Sequence, residues 1–336
     1  FYIMMLFFKN PKNKKSTGIL YLQTLLHERL SNVRVITSTI MIIKRYFNIM
    51  KSTEVAIFLP FTFSCIFAKK NDLVIMPDDS IRSITSVSKV RYENKKILKW
   101  LFQNIRLIIT KNIISLKKDV VYLTVSKDDQ WSLQSKFPKH KIVYIPHPIQ
   151  SASNKEDVLD RCENISTICF MNLQEHYSVN PSAFIRPKTK VNLNDLHNKV
   201  NIIFHGSYSQ AWYGKYMYYY GKANCKAVRY VEDFEQFYNN IDLIILPLAA
   251  GAGIKNIVLN SVYRNKLILG TEEAFSGIPK EFTRKLIIDS NDDILTKINS
   301  EVECLVIKES CNILRDYLVV EHTEKAFMDT IFKNII

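Results

Sequence analysis

In this chain of 336 residues the groups best placed to do chemistry lie in one stretch, Leu246 to Ile278, LPLAAGAGIKNIVLNSVYRNKLILGTEEAFSGI. Seven of the eight glycines fall between Gly206 and Gly277. Gly251 and Gly253 follow an apolar run, Ile241 to Leu248, that reads as a buried strand, and Lys255 to Tyr263 reads as a helix. A strand, a glycine-rich turn and a helix that starts on a lysine make a cradle for phosphate. Backbone N–H groups approach closely at the glycines, the helix N-terminus is partially positive, and Lys255 adds a full charge. A tight turn followed by a solvated lysine is the plainer reading of the same residues.

Other reactive side chains are sparser. Asp78 and Asp79 follow a short strand, where a carboxylate either orients a substrate hydroxyl or caps the next helix. His147 sits at a linker, and His176 and His205 read either as groups that reach a donor cleft or as packed or surface histidines. Six scattered cysteines form no CxxC pair, so metal ligation is not expected from them, and no Asp-x-Asp metal motif is present. No G-x-S-x-G occurs, which removes the nucleophile-elbow hydrolases. Tyr216 to Tyr220 reads either as a stacking surface for sugar or base or as a mixed core and surface stretch.

The elements that must hold these residues alternate. Tyr2–Phe8, Val33–Thr37, Leu73–Met76, Val120–Val125 and Ile142–Ile145 read as strands. Helical patterns cover Gly18–Leu30, the basic segment Val90–Leu116 and Asp128–Lys136. In Val90–Leu116, Leu98, Leu101, Phe102, Ile105 and Ile109 fall on one helix face. Beyond a linker after His147-Pro148-Ile149, strands are expected at Thr167–Asn172, Val200–His205, Ala227–Tyr230, Ile241–Leu248, Lys266–Leu269 and Lys285–Ile288. Helices are expected at Asp233–Asn239, Ile254–Tyr263 and about Glu324–Asn334, the last packing back across the first unit. This alternation implies an α/β fold of two Rossmann-like domains facing a cleft, with ligands beyond the carboxyl ends of parallel strands. The expected boundaries are 1–150, 151–320 and a C-terminal helix at 321–336.

Charge divides the chain in the same place. Residues 1–150 carry 25 Lys/Arg against 9 Asp/Glu, and residues 151–336 carry 21 against 23. A basic first half suits an anionic membrane surface, an anionic or lipid-phosphate acceptor, or nucleic acid, or is simply a solvated basic face. Nucleic acid is disfavoured, since no basic–aromatic recognition motif such as RNP1 is found. Val55 to Ala68, the longest uncharged apolar stretch, is too short to span a bilayer and contains Pro60. Phe1–Phe8 precedes its positive charge, the reverse of a secretory signal, and scattered cysteines in apolar runs read as core thiols, which fits a reducing cytoplasm.

The second half resembles the donor-binding domain of GT-B glycosyltransferases, above all glycosyltransferase family 4. That family often shows a strand ending in Pro-Leu, then Gly-x-Gly-Ile-Lys-Asn-Lys-x-Leu-Glu-Ala, then a strand and Thr-x-x-x-x-Glu-Gly. Here stand Pro247, Leu248, Gly251, Gly253, Ile254, Lys255, Asn256 and Leu259, then Leu267 to Thr271, then Gly277. Phe204-His205-Gly206-Ser207 resembles its Val-Gly-Ser turn, and Val125-Ser126, Ile145-Pro146-His147 and Asp79-Ser80 resemble landmarks of its first domain. The resemblance implies a transferase that takes a sugar from a nucleotide-diphosphate donor, with retention, without a metal and with no cofactor. Gly206, Ser207, Gly251, Gly253, Ile254, Lys255, Asn256 and Asn260 would bind the donor, with Lys255 and Asp79 as catalytic groups. It further implies a glycan or lipid-linked acceptor and a setting in cell-surface polysaccharide synthesis, peripheral on the inner face of the membrane. Three positions depart from the pattern: Asn260 replaces the Glu that binds the donor ribose, Ser276 replaces the second Glu, and Asn265 replaces a Gly. A catalytically weak or inactive glycosyltransferase-like binding protein is the alternative these departures raise.

Overall fold

The computed structural model describes residues 4–7, 22, 24–26, 28–29, 34–36, 56–59, 65–66, 68–76, 78–149, 165–175, 177–186, 200–221 and 224–335. The first half builds a six-stranded sheet from β1 (Met4–Phe7), β2 (Arg34–Ile36), β3 (Ala56–Leu59), β4 (Leu73–Met76), β5 (Val121–Thr124) and β6 (Lys141–Tyr144). Its order is β2-β1-β3-β4-β5-β6, and every pairing is parallel. The second half builds a five-stranded sheet from β7 (Thr167–Phe170), β8 (Asn201–His205), β9 (Cys225–Val228), β10 (Leu243–Leu246) and β11 (Leu267–Gly270). Its order is β11-β10-β7-β8-β9, again all parallel. β4, β5, β10 and β11 are buried at all four positions, as expected of sheets covered on both faces.

Helices flank the strands. Those of the first half are α1 (Ser80–Glu93), α2 (Ile97–Leu116) and α3 (Lys127–Lys136). Those of the second half are α4 (Pro181–Ile185), α5 (Ser209–Tyr220), α6 (Phe234–Asn239), α7 (Asn256–Tyr263), α8 (Lys280–Thr283), α9 (Asn291–Asn299), α10 (Glu301–Glu321) and α11 (Glu324–Ile335). Phe327, Met328 and Ile331 of α11 are buried in one cluster with Leu22, Leu25, Leu26, Ile57, Ile75 and Ile145 of the first half. Three such side chains contribute about 1.5–3 kcal/mol each, enough to hold the last helix against the opposite unit, as its position in the sequence suggested.

Several expectations are corrected. The helical region Val90–Leu116 is broken, as its length allowed, where the chain turns at Lys95 with φ +56°, and its first helix starts earlier than expected, at Ser80, where Asp79 caps it. The apolar face of Leu98, Leu101, Phe102, Ile105 and Ile109 points outward, while Gln103, Thr110, Ile113 and Ile114 of α2 are buried. Lys285–Ile288 is not a strand and makes only one bridge, Gly270 to Ile287. The 21-residue α10, begun by Ser300 accepting from Glu303 N–H, has no counterpart in the sequence reading. Helical residues 22, 24–26 and 28–29 fall within Gly18–Leu30, whose other positions lie outside the described residues, as do His176 and most of the linker after Ile149.

Candidate functional site

The glycine-rich stretch leaves the carboxyl end of β10. Ala249 and Ala250 N–H both donate to the Tyr177 carbonyl, at 2.6 and 3.2 Å, which pins the chain as it turns. Gly251 and Gly253 then take φ +142° and +66°, values that open the loop ahead of α7. Lys255 is the N-cap residue of α7, and no side chain caps that helix start. Its first N–H groups and the positive end of its dipole are thus presented by backbone alone.

The Lys255 ammonium folds back over the same loop. It donates to the carbonyls of Ala252 (3.0 Å) and Gly253 (3.2 Å) and lies 3.8 Å from Glu273 Oε1. Burial pulls its pKa below the usual lysine value, opposed by the charges of Glu273, Asp78 and Asp129. Glu273 stands in the short 3-10 turn Glu272–Phe275 beyond β11. Burial raises its carboxyl pKa, and Lys255 and Arg82 counter that shift. Sequence reasoning passed over Glu273. Its signal was position, a carboxylate just past a strand end and four residues before Gly277.

Of the two aspartates after β4, Asp79 is wholly buried and spent on local structure. Its carboxylate accepts from Ile81 N–H (2.9 Å), Arg82 N–H (3.1 Å) and Ser132 Oγ (2.9 Å), and lies 3.3 Å from Lys136 Nζ. Its own N–H donates to Asp129 Oδ2 at 2.9 Å. Asp78 is the one electrostatically coupled to Lys255. Burial raises its pKa, and a Ser83 hydrogen bond, Lys255 and Arg106 oppose the rise. Asp129 is pushed up to about 7, chiefly by burial and further by the Asp79 and Asp78 carboxylates. Its Oδ1 lies 3.7 Å from Arg82. Asp78, Asp129, Arg82, Lys255 and Glu273 therefore form one charged cluster contributed by both halves.

The halves also touch directly. Ser86 Oγ of α1 accepts from Gly251 N–H (3.0 Å) and donates to the Gly251 carbonyl (3.2 Å). Val87 and Val90 of the same helix pack on Ala250. Gly277 meets the start of α3, where an added Cβ would lie 2.9 Å from Ser126 Oγ and 3.0 Å from Ile254 Cγ1. Ile254 is buried at this contact.

The remaining candidates divide. Asn256, the first residue of α7, has a buried Oδ1 with no hydrogen-bond partner among the described residues. Asn260, one turn on, accepts at Oδ1 from Arg264 (3.3 Å), and Arg264 in turn pairs with Glu235. Gly206 is a packing residue, since a Cβ there would come within 2.4 Å of the Leu173 carbonyl oxygen. Ser207 beside it is exposed. His205 is half-buried against Phe234 and Phe237, and burial lowers its pKa. His147 is buried, and its carbonyl accepts from His322 Nδ1 at 3.0 Å. Tyr216 is in the core, whereas Tyr218 is exposed. Among the described residues no three His, Cys, Asp or Glu side chains gather as a metal site.

No protein-family description matches the sequence. No curated protein matches it either. Solved structures do resemble it in shape. HepE from Anabaena bound to UDP aligns with TM-score 0.63 at 12% identity, covering 100% of this chain and 99% of that one. The same protein with UDP-glucose aligns at 0.62 and 12%, covering 99% and 98%. A glycosyltransferase from Rickettsia africae aligns at 0.52 and 13%, covering 99% and 97%. A Listeria monocytogenes protein assigned as a UDP-N-acetylglucosamine 2-epimerase aligns at 0.52 and 10%, covering 98% and 94%. At these identities the likeness shows the fold: the chain has the GT-B architecture of two Rossmann-like units.

Proposed function

We propose that this chain transfers a sugar from a nucleotide-diphosphate donor to an acceptor held by its basic first half. The observation that carries the reading is the uncapped start of α7, with Gly251 and Gly253 before it and the Lys255 ammonium folded over them, opposite carboxylates from both halves. The fold alone does not choose the reaction, since transferases and an epimerase are both similar in shape. The site supplies the argument.

In the proposed step the bond between the sugar's anomeric carbon and the diphosphate oxygen breaks, and its electron pair leaves with the diphosphate. The N–H groups of α7 and Lys255 stabilise that developing charge. A new bond forms to the acceptor oxygen on the face of the anomeric carbon that the diphosphate leaves, so configuration is retained, and the acceptor's proton passes to the departing diphosphate. Asp78 rather than Asp79 orients the acceptor hydroxyl, because the Asp79 carboxylate is consumed at the start of α1. In this reading Asn256 and Asn260, one turn apart on the same helix, meet the nucleoside. The residues assigned to donor binding lie in 151–320 and those to the acceptor in 1–150, and cell-surface polysaccharide synthesis is the setting the resemblance suggests.

A second reading is favoured by one observation. Asn260 replaces a carboxylate and is already engaged by Arg264, which suits a protein that binds a sugar nucleotide without turning it over. Incubation with a panel of sugar nucleotides, scored for released nucleoside diphosphate, separates the two. Release supports the transferase, saturable binding without release supports the binding protein, and neither contradicts both.

A further inference from the structure

Two helices of nearly equal length, α2 with 20 residues and α10 with 21, carry apolar rows left open among the described residues. On α2 the usual arrangement is inverted. The helix buries Gln103 and Thr110 beside Ile113 and Ile114, and it turns Leu98, Phe102, Ile108 and Leu116 outward at 74%, 71%, 59% and 73% exposure. A continuous apolar row on a folded surface marks a place of contact. α10 packs inward through Ile307, Cys311, Leu314 and Leu318. Its outer row is Val302, Leu305, Glu309, Ile313, Asp316 and Val320, all exposed and spaced three or four apart along one face.

The two rows differ in charge. Helical spacing puts Lys99 and Arg106 on one border of the α2 row and Lys111 on the other, all exposed, and the sequence has no Asp or Glu between residues 94 and 118. Lys99 also lies 3.8 Å from Glu175. On α10 the acids Glu309 and Asp316 stand within the apolar row itself, with Arg315 Nε 3.7 Å from Asp316 at its flank. Lys99 and Arg106 are seven residues apart, and so are Glu309 and Asp316. Seven residues make two helical turns, about 10.5 Å, so one register sets both cations against both acids whichever way the helices run. The same charges disfavour two-fold pairings. α2 against α2 brings cationic borders together, and α10 against α10 sets Glu309 and Asp316 against their own copies.

We infer that the α2 row of one copy of this chain seats on the α10 row of a second copy. Each copy carries both surfaces, matched in length, spacing and sign, and both rows face away from the chain's own cores. Leu98 and Phe102 meet the apolar members of the α10 row, and Lys99 and Arg106 meet its acids. The contact joins unlike surfaces, so copies add head to tail, closing into a ring or extending as a filament according to the rotation between them. It does not depend on the reaction at the glycine loop.

Sedimentation of the full chain over a concentration series tests the contact without any turnover. The wild type should pass from monomer to dimer and larger species as concentration rises, and high salt should weaken that association. Leu98→Glu/Phe102→Glu spoils the α2 row, and Leu305→Lys/Ile313→Lys spoils the α10 row. Each variant should be monomeric with a thermal midpoint near wild type, since all four side chains are exposed. Mixed in equal amounts, the two variants retain one intact row of each kind and should form a 1:1 dimer and nothing larger. Charge reversal supplies a second set. Lys99→Glu/Arg106→Glu and Glu309→Lys/Asp316→Lys should each weaken association at least tenfold, and mixing them should restore it. A wild type that stays monomeric at low salt overturns the inference, and flotation of that monomer with phosphatidylglycerol vesicles would give the α2 row to a bilayer instead. Association that survives in the α10 variants overturns the α10 seat in favour of a two-fold α2 contact, and association that survives in the α2 variants overturns the α2 seat. Mixtures that stay monomeric overturn the pairing of the two rows.

Discussion

Lys255 and Asp78 are where the account is most exposed at the level of single residues. If Lys255 neutralises the departing diphosphate, Lys255→Ala should lower donor turnover by about a hundred- to a thousandfold while leaving the thermal midpoint close to wild type. Steady-state release of nucleoside diphosphate, with a melt in parallel, checks it. The two neighbouring aspartates should part company. Asp79→Ala removes a cap and leaves Lys136 without its buried partner, and should cost about 2–4 kcal/mol in a urea titration. Asp78→Asn should instead reduce transfer to an acceptor more than hydrolysis of the donor, with little change in the urea midpoint. Identical behaviour of the two would remove the distinction between cap and acceptor residue. The sequence could not make that distinction. Both aspartates follow β4, and which one becomes the cap is decided by one residue of register, through contacts to Ser132 and Asp129 about fifty positions away.

At the scale of elements, the path from β10 through the glycines to α7 was legible because each part carries a local signal: a four-residue apolar strand, two glycines at positive φ, and a helix ending before Asn265. The orientation of α2 was not. Periodicity finds a face, and α2 has apolar residues both inward, Ile113 and Ile114, and outward, Leu98 and Phe102. Tertiary packing decides which side is covered: Ile113 and Ile114 lie in one cluster with Phe58, Val74, Met76 and Tyr122 of the first sheet, joined by Ile81 of α1 and Leu133 of α3. Contacts between elements yield their own prediction. Gly277 lies where a Cβ would press on Ser126 and Ile254 from opposite halves, and its φ of +84° disfavours any other residue. Gly277→Ala should therefore loosen the contact of the 271–278 segment with α3. The expected result is at least a tenfold loss of transfer with UDP binding by the full chain largely kept, read by kinetics and calorimetry together.

For the whole molecule, the strand–helix alternation foretold an α/β fold of two units, and β1 to β11 form two parallel sheets. The clasp that joins the units was not foretold, because it depends on His322 meeting the His147 carbonyl across 175 residues. Ile149 N–H donates to the His322 carbonyl at 3.0 Å, closing the same junction. Burial lowers the pKa of both histidines to about 4, and among the described residues His322 Nε2 has no partner to receive a proton's hydrogen bond. A histidine with a depressed folded pKa keeps its full contribution above the unfolded value near 6.5 and loses it as pH falls toward 4, because only the unfolded chain binds the proton. The pair is expected to cost about a few kcal/mol over that window. Urea midpoints at pH 7 and pH 5 should therefore fall more steeply for wild type than for His322→Gln, and parallel slopes would contradict the clasp. The single measurement closest to the central claim is calorimetric titration of UDP, with and without an attached sugar, into wild type and Lys255→Ala. Saturable binding by wild type, weakened at least tenfold in the variant, is the predicted result; no binding, or equal binding by the two, would contradict a diphosphate resting on Gly251, Gly253 and Lys255.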